Sequence, residues 1–291
     1  NISHREFLER LPGVQIRSLG GPGSITTVSL NGGPTSQTKV TINGFDLTNV
    51  QTGVTDLSQL PTAFINEARL ILNGEKLMSS GSQNGILELN NWNQNNSISS
   101  SVGSFNSYQS NINFSWNSKN YKASFLTGFH KNSGNYEVSW RNKDFNRSNN
   151  HFHQNYASLQ FIRKIHPAVF IKGFSLITDQ KRGVPGLIWS PIEAHHNDKL
   201  GILGSSLNWL NKLGRGSLSY FLKISNDYYE NSQYNVESHN HLRSSTVSFT
   251  NPIIKIKQFK LNLNIQIQSN YLKSNTIERK KYFSSFSSSS Q

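Results

Sequence analysis

The 291 residues carry 29 Lys and Arg against 16 Asp and Glu, a formal charge of +13, with 34% hydrophobic residues and no cysteine. The missing thiols exclude a disulfide framework, a thiolate metal centre and a cysteine nucleophile. No apolar run reaches the roughly 18 residues that a spanning helix needs, so a bilayer would have to be met through strands.

The N-terminal NISHREFLERLPGV has neither a basic n-region nor an apolar h-region, so no export signal is visible, and the chain is expected either to stay inside the cell or to be a mature or partial form. From Asn1 to about Leu89 short β-like runs, 14–17, 26–30, 39–43 and 69–72, are interrupted by the Gly-rich turns LGGPGS and NGGP. One helix is expected over 56–64, where Leu57, Leu60 and Phe64 recur at spacings of three and four behind Asp56 or Ser58 as cap, and Pro61 limits it to a turn or two. Gly44 and Gly74 each follow a strand-like run and an Asn, where a reversal of positive φ is expected. The pattern is that of a small mixed α/β unit.

After Leu89 alternation of period two takes over. Ile112, Phe114 and Trp116 alternate with Asn111, Asn113 and Ser115, and Leu261, Leu263, Ile265 and Ile267 alternate with Asn262, Asn264, Gln266 and Gln268. Such runs are antiparallel strands with one apolar and one polar face. Nine are expected, at about 97–104, 109–117, 121–131, 152–164, 168–178, 200–210, 217–229, 241–256 and 260–272, several of them long enough to cross a membrane at a tilt. The connections alternate: NSKN, IHPA and NKLGRG are tight, whereas 132–150, 179–199 and 230–240 are long. Short turns on one side and long loops on the other are the rhythm of an outer-membrane barrel, and Tyr121, Trp116, Tyr156, Trp209, Tyr228, Tyr229 and Tyr271 near strand ends suit its aromatic girdles.

The basic residues are dispersed. The densest group is Arg279, Lys280 and Lys281, and no helix-turn-helix, zinc-finger or RNP-like pattern accompanies it, so nucleic acid is not expected as a partner. No G-x-S-x-G, Walker A loop, H-E-x-x-H or dinucleotide fingerprint occurs, so no catalytic residue, enzyme activity or cofactor is expected. The histidine pairs His151/His153, His195/His196 and His239/His241 fall in or beside the long connections. His151 with His153, or His239 with His241, point one way on a strand and are weak candidates to grip a metal or haem edge, against solvated loop histidines as the alternative.

The segments LPGVQIRSLGGPG, VSLNGG, SQTKVTINGFDLTN, DLSQLPTAFINEARLILNG and GSQNGILELN, in that order, resemble the plug domain of TonB-dependent outer-membrane receptors, and DQKRGVPGLIWSP resembles an early barrel segment of cobalamin and siderophore receptors of that family. The resemblance implies a mainly β chain: a small α/β plug domain, N-terminally truncated, over 1–91, then an incomplete antiparallel transmembrane β-barrel over 92–291, about nine strands of 22. It implies a non-enzymatic importer in the cell outer membrane, the plug gating the lumen to a siderophore, haem, cobalamin or similar ligand such as a metal chelate. Its partners would be a TonB-type energy transducer, engaged through a segment missing from this chain, and outer-membrane lipid and lipopolysaccharide. By position the resemblance nominates Gly20, Gly21, Pro22, Gly23, Ser24, Gly33, Pro34, Thr35, Phe45, Asp46, Asn49, Arg182 and Trp189 as ligand-binding. For Trp189 and its apolar neighbours, packing against other loops or the plug is an equal alternative. Family plugs carry charged side chains where this chain has Asn31, Asn43, Leu70 and Asn73, so the usual charged contacts of plug and wall are expected to be lost, and with them the usual holding and release of the plug. A non-transporting outer-membrane barrel or adhesin, or a soluble β-sheet protein binding polyanions, remains an alternative.

Overall fold

The computed structural model describes residues 4–21, 23–71, 84–92, 95–256, 259–276 and 281–290. Pro22, Asn73, Gly74, Arg279 and Lys280 lie outside them.

The N-terminal unit holds one short helix, α1 (His4–Leu8), and six strands: β1 (Val14–Ser18), β2 (Thr26–Leu30), β3 (Lys39–Ile42), β4 (Phe45–Asp46), β5 (Glu67–Ile71) and β6 (Ile86–Asn90). The first two strands form a hairpin, and the others a sheet of order β4-β3-β6-β5 in which β3 and β6 run parallel. Leu8, Val28, Leu30, Val40, Ile42, Leu57, Leu87 and Leu89 are buried between them. The expected helix over 56–64 resolves into two 3-10 turns, Leu57–Gln59 and Thr62–Phe64. Pro61 separates them, since it lacks the N–H that a continuing helix would use. Asp56 caps the first turn, and the same carboxylate oxygen accepts the N–H groups of Ser58 and Thr26, each at 2.9 Å, tying the turn to the β1–β2 hairpin. At Asn43-Gly44 both residues take positive φ, 50° and 86°, the backbone of a tight hairpin turn. Asn43 also donates to Asn91 at 2.7 Å.

The remaining strands are β7 (Ser97–Gly103), β8 (Ser107–Asn117), β9 (Tyr121–Asn132), β10 (Tyr136–Trp140), β11 (Lys143–Arg147), β12 (Phe152–His166), β13 (Val169–Leu187), β14 (Ser190–Leu210), β15 (Arg215–Asn231), β16 (Val236–Ile256), β17 (Phe259–Ser274) and β18 (Lys281–Ser290). Ten of them form one antiparallel meander from β7 to β18, and β10 and β11 pair apart as a hairpin over the 133–151 connection. The nine expected strands are all present. The tail adds a tenth, where the sequence showed no closing strand, because a serine run has no alternation and is held by backbone pairing, Leu263↔Ser290 to Leu272↔Lys281. The expected long loops at 179–199 and 230–240 are mostly strand: β13 and β14 meet at a turn of Ile188 and Trp189, and β15 and β16 across 232–235. With 19 and 21 residues, β13 and β14 are longer than the ~9–11 that a strand crossing a bilayer would use.

The outer face of the sheet exposes large apolar side chains, and the inner face is mixed, with Leu126, Phe174, Leu176, Leu200, Ile202 and Phe221 joining the core of the N-terminal unit. Phe114, Trp116, Phe125, Ile177, Leu203, Val247 and Ile267 are exposed on the outer face. The opposite face buries Asn111, Asn113, Gln154, Ser158, Gln160, Thr178, Gln180, Lys223 and Thr246, several of them against the N-terminal unit. A water-soluble protein places these two classes the other way round. No helix among the described residues is long and apolar enough to cross a membrane.

Candidate functional site: the β1–β2 loop against the wall

The loop between β1 and β2 reaches the inner wall at the start of β12 and the far half of β13. At its tip Gly23 has φ +77°, and its carbonyl accepts from Gln180 Nε2 at 3.0 Å and Arg182 Nη1 at 2.5 Å. A Cβ on Gly23 would stand 2.1 Å from the ring of Phe152, so only a glycine lets the loop sit this close. Gln154 donates to Gln180 at 3.3 Å and to the Ser58 carbonyl at 3.4 Å, extending the contact to the first 3-10 turn of the N-terminal unit.

Behind Arg182 lies a charged row set by register: Arg182 pairs with His196, Asp198 with Asp227, and Asp227 with Asn240. Arg182 Nε donates to His196 Nδ1 at 2.9 Å. Because a guanidinium can only donate, Nδ1 is the accepting nitrogen and Nε2 carries the proton, which it gives to Asp227 Oδ2 at 2.6 Å. Asn240 donates to the other oxygen of Asp227 at 3.2 Å, and Asp198 Oδ2 lies 3.4 Å from His196 Nδ1. Counted from the turn at 211–214, both carboxylates lie past the spanning length. Burial pushes Asp198 up to about 7, against the pull of His196 and with the repulsion of Asp227. Burial acts upward on Asp227 too, but the hydrogen bond and charge of His196 outweigh it and hold Asp227 below the usual carboxylate range. A proton entering the pair therefore goes to Asp198.

Deeper in the lumen Phe45 stacks on Phe221, 4.9 Å between ring centroids, and leans on Phe174 at 6.0 Å. Lys223 Nζ donates to the Leu47 carbonyl at 2.7 Å. Asp46 pairs with Lys39 at 3.0 Å and accepts from Thr48, while Asn49 closes the loop that follows by accepting the Gln51 N–H at 2.8 Å. A cavity of about 900 Å³ separates Asn43, Gly44, Phe45 and Asn91 from the wall residues Lys164, Lys172, Ser206 and Gln266.

Residues 2–86 match the family described as TonB-dependent receptor plug domain. The chain carries the plug domain of the TonB-dependent receptors. Among solved structures, this chain resembles the copper transporter OprC, with TM-score 0.71 at 12% identity over 96% of this chain and 45% of that one. It resembles the FrpB iron transporter from Neisseria meningitidis with TM-score 0.73 at 12% identity, over 94% and 47% of the two chains. The ferripyoverdine receptor of the Pseudomonas aeruginosa outer membrane follows with TM-score 0.65 at 10% identity, over 90% and 39%. At these identities the likeness is one of fold, a plug within part of a barrel, and the chain spans about half the length, or less, of each structure. No match is found among curated protein sequences.

Of the nominated residues, the structure brings together Gly20, Gly21, Gly23 and Ser24 in the β1–β2 loop with Arg182 of the wall. Gly33, Pro34 and Thr35 follow β2 at the opposite end of the β1–β2 hairpin, and Phe45 lies against the wall, with Asp46 beside it in β4 and Asn49 in the loop that follows. Trp189 stacks on Trp140 of the β10–β11 hairpin at 5.2 Å, so its apolar surface packs against a neighbouring loop. The weak metal candidates point away from the lumen: alternation sets His151, His153, His239 and His241 on the outer face, opposite the buried Phe152, Gln154 and Leu242. His151 lies 5.8 Å from His195, ring to ring, and burial first, then the charge of His195, lowers it below the ordinary value. His239 is held by Glu237 and His241 by Asn226. Sequence reasoning missed His196, Asp198 and Asp227 as a group. His196 and Asp198 share a face by alternation, a readable signal, whereas Asp227 joins them only through the β14–β15 register.

Proposed function

We propose that the chain is the plug and part of the barrel of an outer-membrane, TonB-dependent importer of a scarce, metal-bearing ligand. The observation that carries this reading is the wall itself, which exposes large apolar side chains to its surroundings and places its buried Asn, Gln, Ser, Thr and Lys side chains on the plug side, as suits a barrel in lipid with a gated lumen. The relatives named for copper, iron and ferripyoverdine support a metal ion or metal chelate as cargo. The outer opening, with Gly20, Gly21, Gly23, Ser24, Arg182 and Trp189, is the proposed ligand side. Phe45, Asp46 and Asn49 are proposed to seat the plug on the wall. The energy transducer would be a TonB-type protein acting on the plug from the periplasm, and lipid and lipopolysaccharide would cover the outer face.

Release of cargo requires the plug to leave Arg182, Gln180 and Lys223. Two of the three are charged, but all three are hydrogen bonds to backbone carbonyls, so among the described residues their separation breaks no buried ion pair. The test is expression of the complete gene in an outer-membrane host with and without its TonB, using radiolabelled copper(II) and ferric siderophores as probes. The expected outcome is outer-membrane fractionation with uptake of one probe that disappears without TonB. Recovery in the soluble fraction without detergent, or uptake indifferent to TonB, would overturn the reading.

A further inference from the structure

The inner wall gathers three metal-ligating side chains at one place: His196, Asp198 and Asp227 offer donor atoms all within 4.8 Å of one another. Asp198 is 3% exposed, and its Oδ1 has no hydrogen-bond partner. A buried carboxylate oxygen without a donor is a group that a cation satisfies. The remaining geometry points the same way. His196 Nδ1 and Asp198 Oδ2 are 3.4 Å apart, close to the separation of two ligands on a tetrahedral ion with bonds of ~2.0–2.2 Å. The other imidazole nitrogen gives its proton to Asp227 at 2.6 Å, as the carboxylate partner of a metal-bound histidine does.

The position in front of Nδ1 is held by a cation that belongs to the chain, the Arg182 guanidinium, whose Nη1 also grips the Gly23 carbonyl. We propose that His196 and Asp198, with Asp227 orienting the imidazole or joining as third ligand, form a site for a divalent transition-metal ion that competes with Arg182. Nitrogen and carboxylate donors select Zn²⁺ and ions of similar hardness over Ca²⁺ or soft Cu⁺. Two carboxylates balance the charge of the ion once the guanidinium has turned away. Because Arg182 bridges His196 to the plug tip, occupancy of the site loosens one of the contacts that hold the plug apex. The proposal needs only these four side chains and stands apart from the transport reading.

The test uses the complete protein purified in detergent, titrated calorimetrically with Zn²⁺ and followed in visible absorption with Co²⁺. Wild type is expected to show one saturable site. His196→Ala and Asp198→Asn should each weaken binding at least tenfold, and Arg182→Gln should tighten it by removing the competing charge. Joint replacement of His151, His153, His239 and His241 by Gln should leave it unchanged. The last two variants keep the test decisive where His196→Ala fails to fold. Absence of binding in wild type, binding indifferent to His196→Ala, weakening by Arg182→Gln, or loss on replacing the outward histidines would each overturn the assignment.

Discussion

Gly23 shows how one residue without a side chain decides where the plug rests. Its positive φ suits glycine alone, and the ring of Phe152 occupies the space of any Cβ. Gly23→Ala is expected to destabilise the seated plug by ~1–3 kcal/mol, the sum of a left-handed alanine and a forced contact. Protease sensitivity of the plug across a urea series measures it, with barrel integrity followed in parallel. Adding Phe152→Ala should recover the steric part but not the backbone part. Unchanged sensitivity in Gly23→Ala would mean that the apex loop does not rest on the wall. The glycine and Arg182 were both visible in the sequence as candidates. Their meeting was not, because residues 159 positions apart are joined only by the fold.

Among the strands, the alternation read in the sequence sets exposed apolar residues on the outer face, as the barrel reading expects. Leu203 on β14 is 45% exposed on the outer face, and Ser206 on the same strand lines the lumen cavity. Leu203→Arg should cost about 2–4 kcal/mol, as a charge on the lipid face near the midplane does, while Ser206→Arg should cost less than ~1 kcal/mol. Folding into phospholipid vesicles under a urea titration compares them. Equal costs would remove the lipid from the outer face. Strand ends were the least legible feature. Gly183, Pro185 and Gly186 on β13 break the apolar rhythm, so the adjoining halves of β13 and β14 looked like a loop, and β18 was hidden in a run of serines.

For the whole molecule, β7 and β18 each pair with a single neighbour, leaving two strand edges beside a continuous apolar outer face. The 291-residue chain alone should therefore associate in aqueous buffer and disperse in detergent, despite its +13 charge. Size-exclusion chromatography with and without micelles checks this. A cooperative, soluble monomer in buffer would revive the soluble β-protein alternative, which the outward apolar face otherwise leaves without a reason.

From the sequence by itself came the division into a small Gly-punctuated unit and long alternating strands, the absence of spanning helices, and the likeness to a plug, because period, turn residues and motif order are local properties of the chain. Which face meets lipid is not local: Leu and Asn alternate in the same way whether the core lies on one side or the other, and only the plug's position inside the curve of the sheet decides it. The Arg182, His196, Asp198 and Asp227 row likewise exists because three strands pair in one register. A shift by one residue would turn half of it outward, and no stretch of sequence records that choice.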